Sequence, residues 1–194
     1  MFSGFIRQIR YLVTISKSHD IARRYFVVNG FDGALTTLGL LVGFYISNSA
    51  NINIVITACL SAAIALAMSG FSSAYVSEAA ERKREFRELQ SAMISDLSGS
   101  PHAKVSFWMP LLIGITNGLS PLIISLIIII PLFLTLFGYS LPVNPYEAGI
   151  GIAFFLIFLL GVFLSSVSGT FWLLSGLQTL LIAMITTALI YLIA

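Results

Sequence analysis

"NGFDGALTTLG", residues Asn29 to Gly39, opens an apolar stretch that runs to about Ser47. The stretch has no Lys or Arg and holds one carboxylate, Asp32. Whether it is a soluble core helix or a membrane span decides the fold. The rest of the chain settles the matter. Of its 194 residues, 58% are hydrophobic and 9% are charged. Soluble domains are about 25% charged. A chain this short of charge cannot cover a globule with polar surface, so lipid must be its main solvent. The expected class is an all-α membrane protein forming one domain over 1–194.

Five segments are long enough to cross a hydrocarbon core of about 30 Å, which takes roughly 20 helical residues. They lie near 27–47, 52–77, 106–137, 148–170 and 172–193. The third carries Pro110, Pro121 and Pro131. Each proline removes a backbone hydrogen bond, so this span should tilt, kink or break. Residues 1–25 place Phe2, Phe5, Ile6, Ile9, Leu12 and Val13 at helical spacing among Arg7, Arg10 and Lys17. That pattern fits an amphipathic cytoplasmic helix, either lying on the membrane or packed on the bundle. It lacks the uninterrupted apolar region and small-residue cleavage site of a signal peptide, so none is expected.

The cations give the orientation. Arg7, Arg10, Lys17, Arg23 and Arg24 precede the first span. Arg82, Lys83, Arg84, Arg87 and Lys104 fall between the second and third. The positive-inside rule places both groups in the cytoplasm. Five crossings then leave the C-terminus outside. The net charge of +2 gives no reason to expect nucleic acid as a partner. Cys59, the single cysteine, excludes a disulfide framework and reads as a small packed residue.

An acid within a span is expensive if it is charged and faces lipid, so Asp32 reads first as a functional group. Asn29 and Asp32 are three residues apart, and Asp32 and Thr36 four, so the three share one helical face. This makes an oxygen-rich stripe of the kind that hard divalent cations favour. The competing reading is an acid snorkelling to the interface or capping a helix end. Beyond the second span, "YVSEAAERKREFRELQSAMISDL" continues as a charged cytoplasmic helix and loop over 78–105. Glu78, Glu81, Glu85 and Glu88 occupy an arc of roughly 80° on it, an acidic rail that could gather cations. The competing reading is a solvated helix held by Glu78–Arg82 and Arg84–Glu88 pairs. Met68 and Asn117 are further candidates. Gly39 with Gly43, and Gly114 with Gly118, have the spacing that allows close helix packing. His19 and His102 have no metal-ligand spacing. No HExxH, GxSxG, phosphate loop or cysteine pair occurs, so an enzyme is not expected.

"RRYFVVNGFDGALTTLGLLVG" resembles the first helix of the vacuolar iron transporter family, whose hallmark is an Asp-Gly pair followed by Thr and Gly. "MSGFSSAYVSEAAERKRE" is similar to the end of that family's second helix. "GLSPLIISLIIIIPLF" looks like its third. The resemblance implies a homodimer in the cell membrane that exports Fe²⁺, and often Mn²⁺, from the cytosol in exchange for protons, with its pathway between subunits. The metal is then cargo, and no tightly bound cofactor is implied. The family's membrane aspartate maps onto Asp32, and its cytoplasmic carboxylates begin at Glu78, Glu81 and Glu85. Aligned on Tyr75 and Ser77, the family's second-helix methionine falls at Gly70, and a glutamate common before the Tyr falls at Ala74. The segment between the second and third spans is too short for the three-helix insert of plant members. The alternative expectation is a non-transporting dimeric scaffold or partner-binding subunit, in which Asp32 pairs with Arg23 or Arg24.

Overall fold

The computed structural model describes residues 18–48, 51–93, 100–169 and 171–193. The expected helix at the start of the chain lies largely outside them. The described residues form six helices and no strand: α1 Ser18–Ile46, α2 Ile52–Met93, α3 Pro101–Ile128, α4 Ile130–Leu136, α5 Pro145–Ser168 and α6 Trp172–Ile193. All but α4 are long and apolar enough to cross a membrane, which makes the chain a multi-pass integral membrane protein.

Local chemistry sets the helix ends. Ser100 caps α3 by accepting the Ala103 N–H at 3.4 Å, with Pro101 in the first turn where its missing N–H costs nothing. Asn144 caps α5 in the same way, its Oδ1 accepting the Tyr146 N–H at 3.0 Å. Gly169 closes α5 in the left-handed conformation at φ 70°. The third span breaks at Ile129, between α3 and α4, and Pro131 opens the second piece. Pro110 and Pro121 stay within α3. Of the three prolines, therefore, only Pro131 accompanies an interruption.

The helix α1 is central and packs against α2, α3, α5 and α6. Val27, Leu38 and Leu41 of α1 meet Val55 and Cys59 of α2, Ile128 of α3, Leu132 of α4 and Ile157 of α5 in one buried cluster. Close approach to α3 depends on Gly33, where a Cβ would lie 2.6 Å from Pro121 Cα. The spacing pair Gly114 and Gly118 serves packing within the chain: both sit against α2, at Phe71 and Ala67. Large apolar side chains such as Ile64, Phe155, Leu181 and Ile185 face outward, as a lipid solvent requires. The helix α2 has 42 residues. At 1.5 Å per residue it is about 63 Å long, twice the hydrocarbon thickness, so its second half must leave the membrane.

Candidate functional site

The polar residues of α1 divide between two environments. Asn29 turns inward. Its Nδ2 donates to the Tyr25 carbonyl at 3.1 Å and to Asn117 Oδ1. Asn117, buried on α3, donates from Nδ2 to the Gly70 carbonyl of α2 at 2.7 Å. The two amides thus tie α1, α3 and α2 together at one level. Gly70 fits there because a Cβ would lie 3.2 Å from the Asn117 carbonyl and 3.5 Å from Asn29 Oδ1. A methionine at this position would have to displace the amide pair.

Asp32, about 60° further round the helix, lies on its exposed side. It is exposed on the surface of the chain, and among the described residues it makes no hydrogen bond or ion pair. The pairing with Arg23 or Arg24 that a scaffold reading requires is not made. Thr36, one turn further on, is half-buried. Met68 is 60% exposed on α2, two residues and therefore about 200° round the helix from Gly70, so it stays apart from the amide pair.

The acidic rail is mostly committed. Glu78 is buried, and its Oε1 accepts from Arg82 Nε at 2.8 Å. Arg82 also reaches Glu85 Oε2 at 3.1 Å. Glu88 holds Arg84 at 2.8 Å in an exposed pair, which keeps the Arg84 guanidinium pKa above its ordinary value. Both expected pairs therefore form, although Glu78 does so out of water. Only Glu81 among the four is exposed and without an ion pair among the described residues. Counting residues from the shared amide level, Glu78 stands about 12 Å towards the charged end and Asp32 about 4–5 Å towards the opposite one. They cannot share an ion. Among the described residues no three His, Cys, Asp or Glu side chains come together in a metal-holding group.

Several polar contacts were not legible as a group in the sequence. Ser120 donates to the Phe26 carbonyl, and Thr37 donates to Ser125 Oγ at 2.8 Å. At the opposite end of the bundle, Tyr45 donates to Glu147 at 2.9 Å. For the serines and threonines the signal was small polar residues inside apolar runs, which gives no partner.

Fold and site together define a multi-pass helical membrane protein with an unpaired carboxylate, Asp32, exposed on its first span. The VIT family model matches residues 23–96, the stretch that carries Asp32 and the whole acidic rail. An uncharacterized protein of Methanocaldococcus jannaschii is 30% identical over 158 residues, covering 80% of this chain and 79% of its own. No solved structure matches significantly. The chain belongs to the VIT family, the vacuolar iron transporter family. Membership points to metal-ion transport and agrees with the absence of enzyme motifs.

Proposed function

We propose that this chain is a proton-coupled divalent-metal transporter that moves Fe²⁺, with Mn²⁺ as a second cargo, out of the cytosol. It works as a homodimer in the cell membrane, with the charged ends of α1 and α2 in the cytoplasm. The orientation rests on the positive-inside rule. The cargo rests on the family.

One observation carries the mechanism: Asp32 is exposed and unpartnered inside a span. It lies nine residues beyond Arg23, where the 24-residue span begins. That is about 13 Å along the helix. A charged carboxylate facing lipid at that depth costs a few kcal/mol. A second copy related by a two-fold axis takes Asp32 out of lipid and sets it opposite its own symmetry mate in an interface that water can enter. Val28, Gly39 and Gly43 lie within about 40° of Asp32 on the helix. Nothing lies within 4 Å of a Cβ built on Gly43, so a neighbouring backbone can approach closely there.

Two facing carboxylates repel unless a divalent cation or protons lie between them. Metal and proton therefore compete for one place, which is the exchange an antiporter needs. Thr36, one turn on, borders that place with a further oxygen, whereas Asn29 is held inside the bundle by Asn117. Glu81 is the rail carboxylate left to collect cations at the mouth, since Glu78 and Glu85 hold Arg82 and Glu88 holds Arg84.

Vesicles containing the reconstituted chain and a metal-sensitive dye test the reading. Fe²⁺ or Mn²⁺ should enter faster than into empty vesicles, and an opposite pH gradient should drive it. Uptake equal to that of empty vesicles overturns the proposal. Dimer geometry has its own test. In a Cys59→Ala background, Gly43→Cys should oxidise to a cross-linked dimer in membranes. If the chain stays monomeric under oxidant, the Asp32 face is not the interface.

A further inference from the structure

The charged extension of α2 and the first turns of α3 enclose a cleft of about 250 Å³. Tyr75, Lys83 and Phe86 line it from α2, and Ser106, Phe107 and Pro110 from α3. It lies where the apolar part of α2 gives way to the charged part, the level at which a bilayer meets water. Phe107 is 70% exposed beside it and stands edge-on to Trp108 at 5.5 Å. Exposed aromatics at this level mark the membrane interface.

The charges around the cleft are sorted. Arg82 is held by Glu78 and Glu85, and Arg84 by Glu88. Lys83, Arg87 and Lys104 make no ion pair among the described residues. At about 100° per residue, Lys83 sits roughly 140–160° from every glutamate of the extension. Arg87 lies about 40° from Lys83 on α2, and Lys104 adjoins Ala103 in the first turn of α3, so each long cationic side chain starts close to the cleft. Ala103, in the first turn of α3, also lines the cleft, and the positive end of that helix dipole favours an anion there. The result is a cationic pocket with a hydroxyl at Ser106, aromatic walls and an opening at the bilayer surface.

We propose that this cleft binds the headgroup of an anionic phospholipid. Lys83 and the Ser106 hydroxyl would take the phosphate, Arg87 and Lys104 would add attraction from the rim, and Tyr75 and Phe107 would cover the first carbons of the acyl chains. A soluble anion would satisfy the cations and leave the aromatic walls unused. The proposal is independent of metal transport.

The test uses the full chain in nonionic detergent, titrated with dioctanoyl phosphatidylglycerol, dioctanoyl phosphatidylcholine or inorganic phosphate, and read by native mass spectrometry. The wild-type chain should hold one phosphatidylglycerol per subunit more tightly than phosphatidylcholine, and inorganic phosphate should not displace it. Lys83→Gln with Lys104→Gln should weaken phosphatidylglycerol about 25-fold, taking about fivefold for each cation near an anionic surface. Arg84→Gln removes the same type of charge from the opposite face and should change nothing. Ala79 also lines the cleft from α2, so Ala79→Phe fills it, keeps every charge and should also weaken the lipid. If that variant does not fold, the charge variants still decide. Equal binding of the two lipids, displacement by phosphate, an equal loss in Arg84→Gln, or no lipid bound to the wild-type chain overturns the proposal.

Discussion

Asp32 and Glu78 are both carboxylates on helices of one bundle, and the chain treats them in opposite ways. Glu78 is buried and answered by an arginine one turn away on its own helix. Asp32 is exposed, in a more apolar setting, and answered by nothing among the described residues. A helix that leaves the membrane can settle its charges through neighbours at i+4. A span cannot, because each added cation would carry its own desolvation cost into lipid. In the proposed function, the charge left open inside the span is completed from outside the chain, by a second copy, a proton or a metal.

The largest effect that would break this contrast is at Asp32. Asp32→Asn should reduce metal uptake in the vesicle assay to the level of empty vesicles, while the protein stays folded and monodisperse. Normal uptake by this variant would make Asp32 a bystander. Next comes Arg82→Ala, which strands a carboxylate that is only 6% exposed. Breaking a buried pair from one side costs several kcal/mol, so about 3 kcal/mol of stability should be lost in detergent unfolding. Glu78→Ala added to Arg82→Ala should recover most of it. If Arg82→Ala unfolds like the wild type, Glu78 is not settled by Arg82.

A smaller loss is expected where packing alone is disturbed. Gly33→Ala presses a methyl against the Pro121 backbone. Overpacking of this kind costs about 1–3 kcal/mol, and the same unfolding assay reads it. The smallest effect is at Arg84. Its pair with Glu88 is open to water on both sides, at 80% and 64% side-chain exposure. Arg84→Ala should leave the unfolding transition close to that of the wild type. A loss as large as that of Arg82→Ala would mean that burial does not separate the two pairs.

Some of the site could be read directly from spacing. The Glu78–Arg82 and Arg84–Glu88 pairs are local, so helical periodicity was enough to name them. Asn29 and Asp32 were equally legible as neighbours on one helix, yet they point into different surroundings. Their separation depends on α3, whose Asn117 captures Asn29 from 88 residues away. The break in the third span was foreseeable as a class of event. Its position, at Ile129 just before Pro131 and not at Pro110 or Pro121, was not.

What the sequence determined by itself follows from solvent and period. Low charge content required lipid, apolar run length required five spans, and clustered cations gave the expected cytoplasmic face. These are one-dimensional properties, and each is set by a free energy summed along the chain. Which face of a span turns inward is not such a sum. It depends on which helices meet, on Gly33 and Gly118 letting backbones close, and on the amide chain from Asn29 through Asn117 to Gly70. Only the tertiary structure could show that Asp32 is left facing outward, because that position is fixed by contacts distant in sequence.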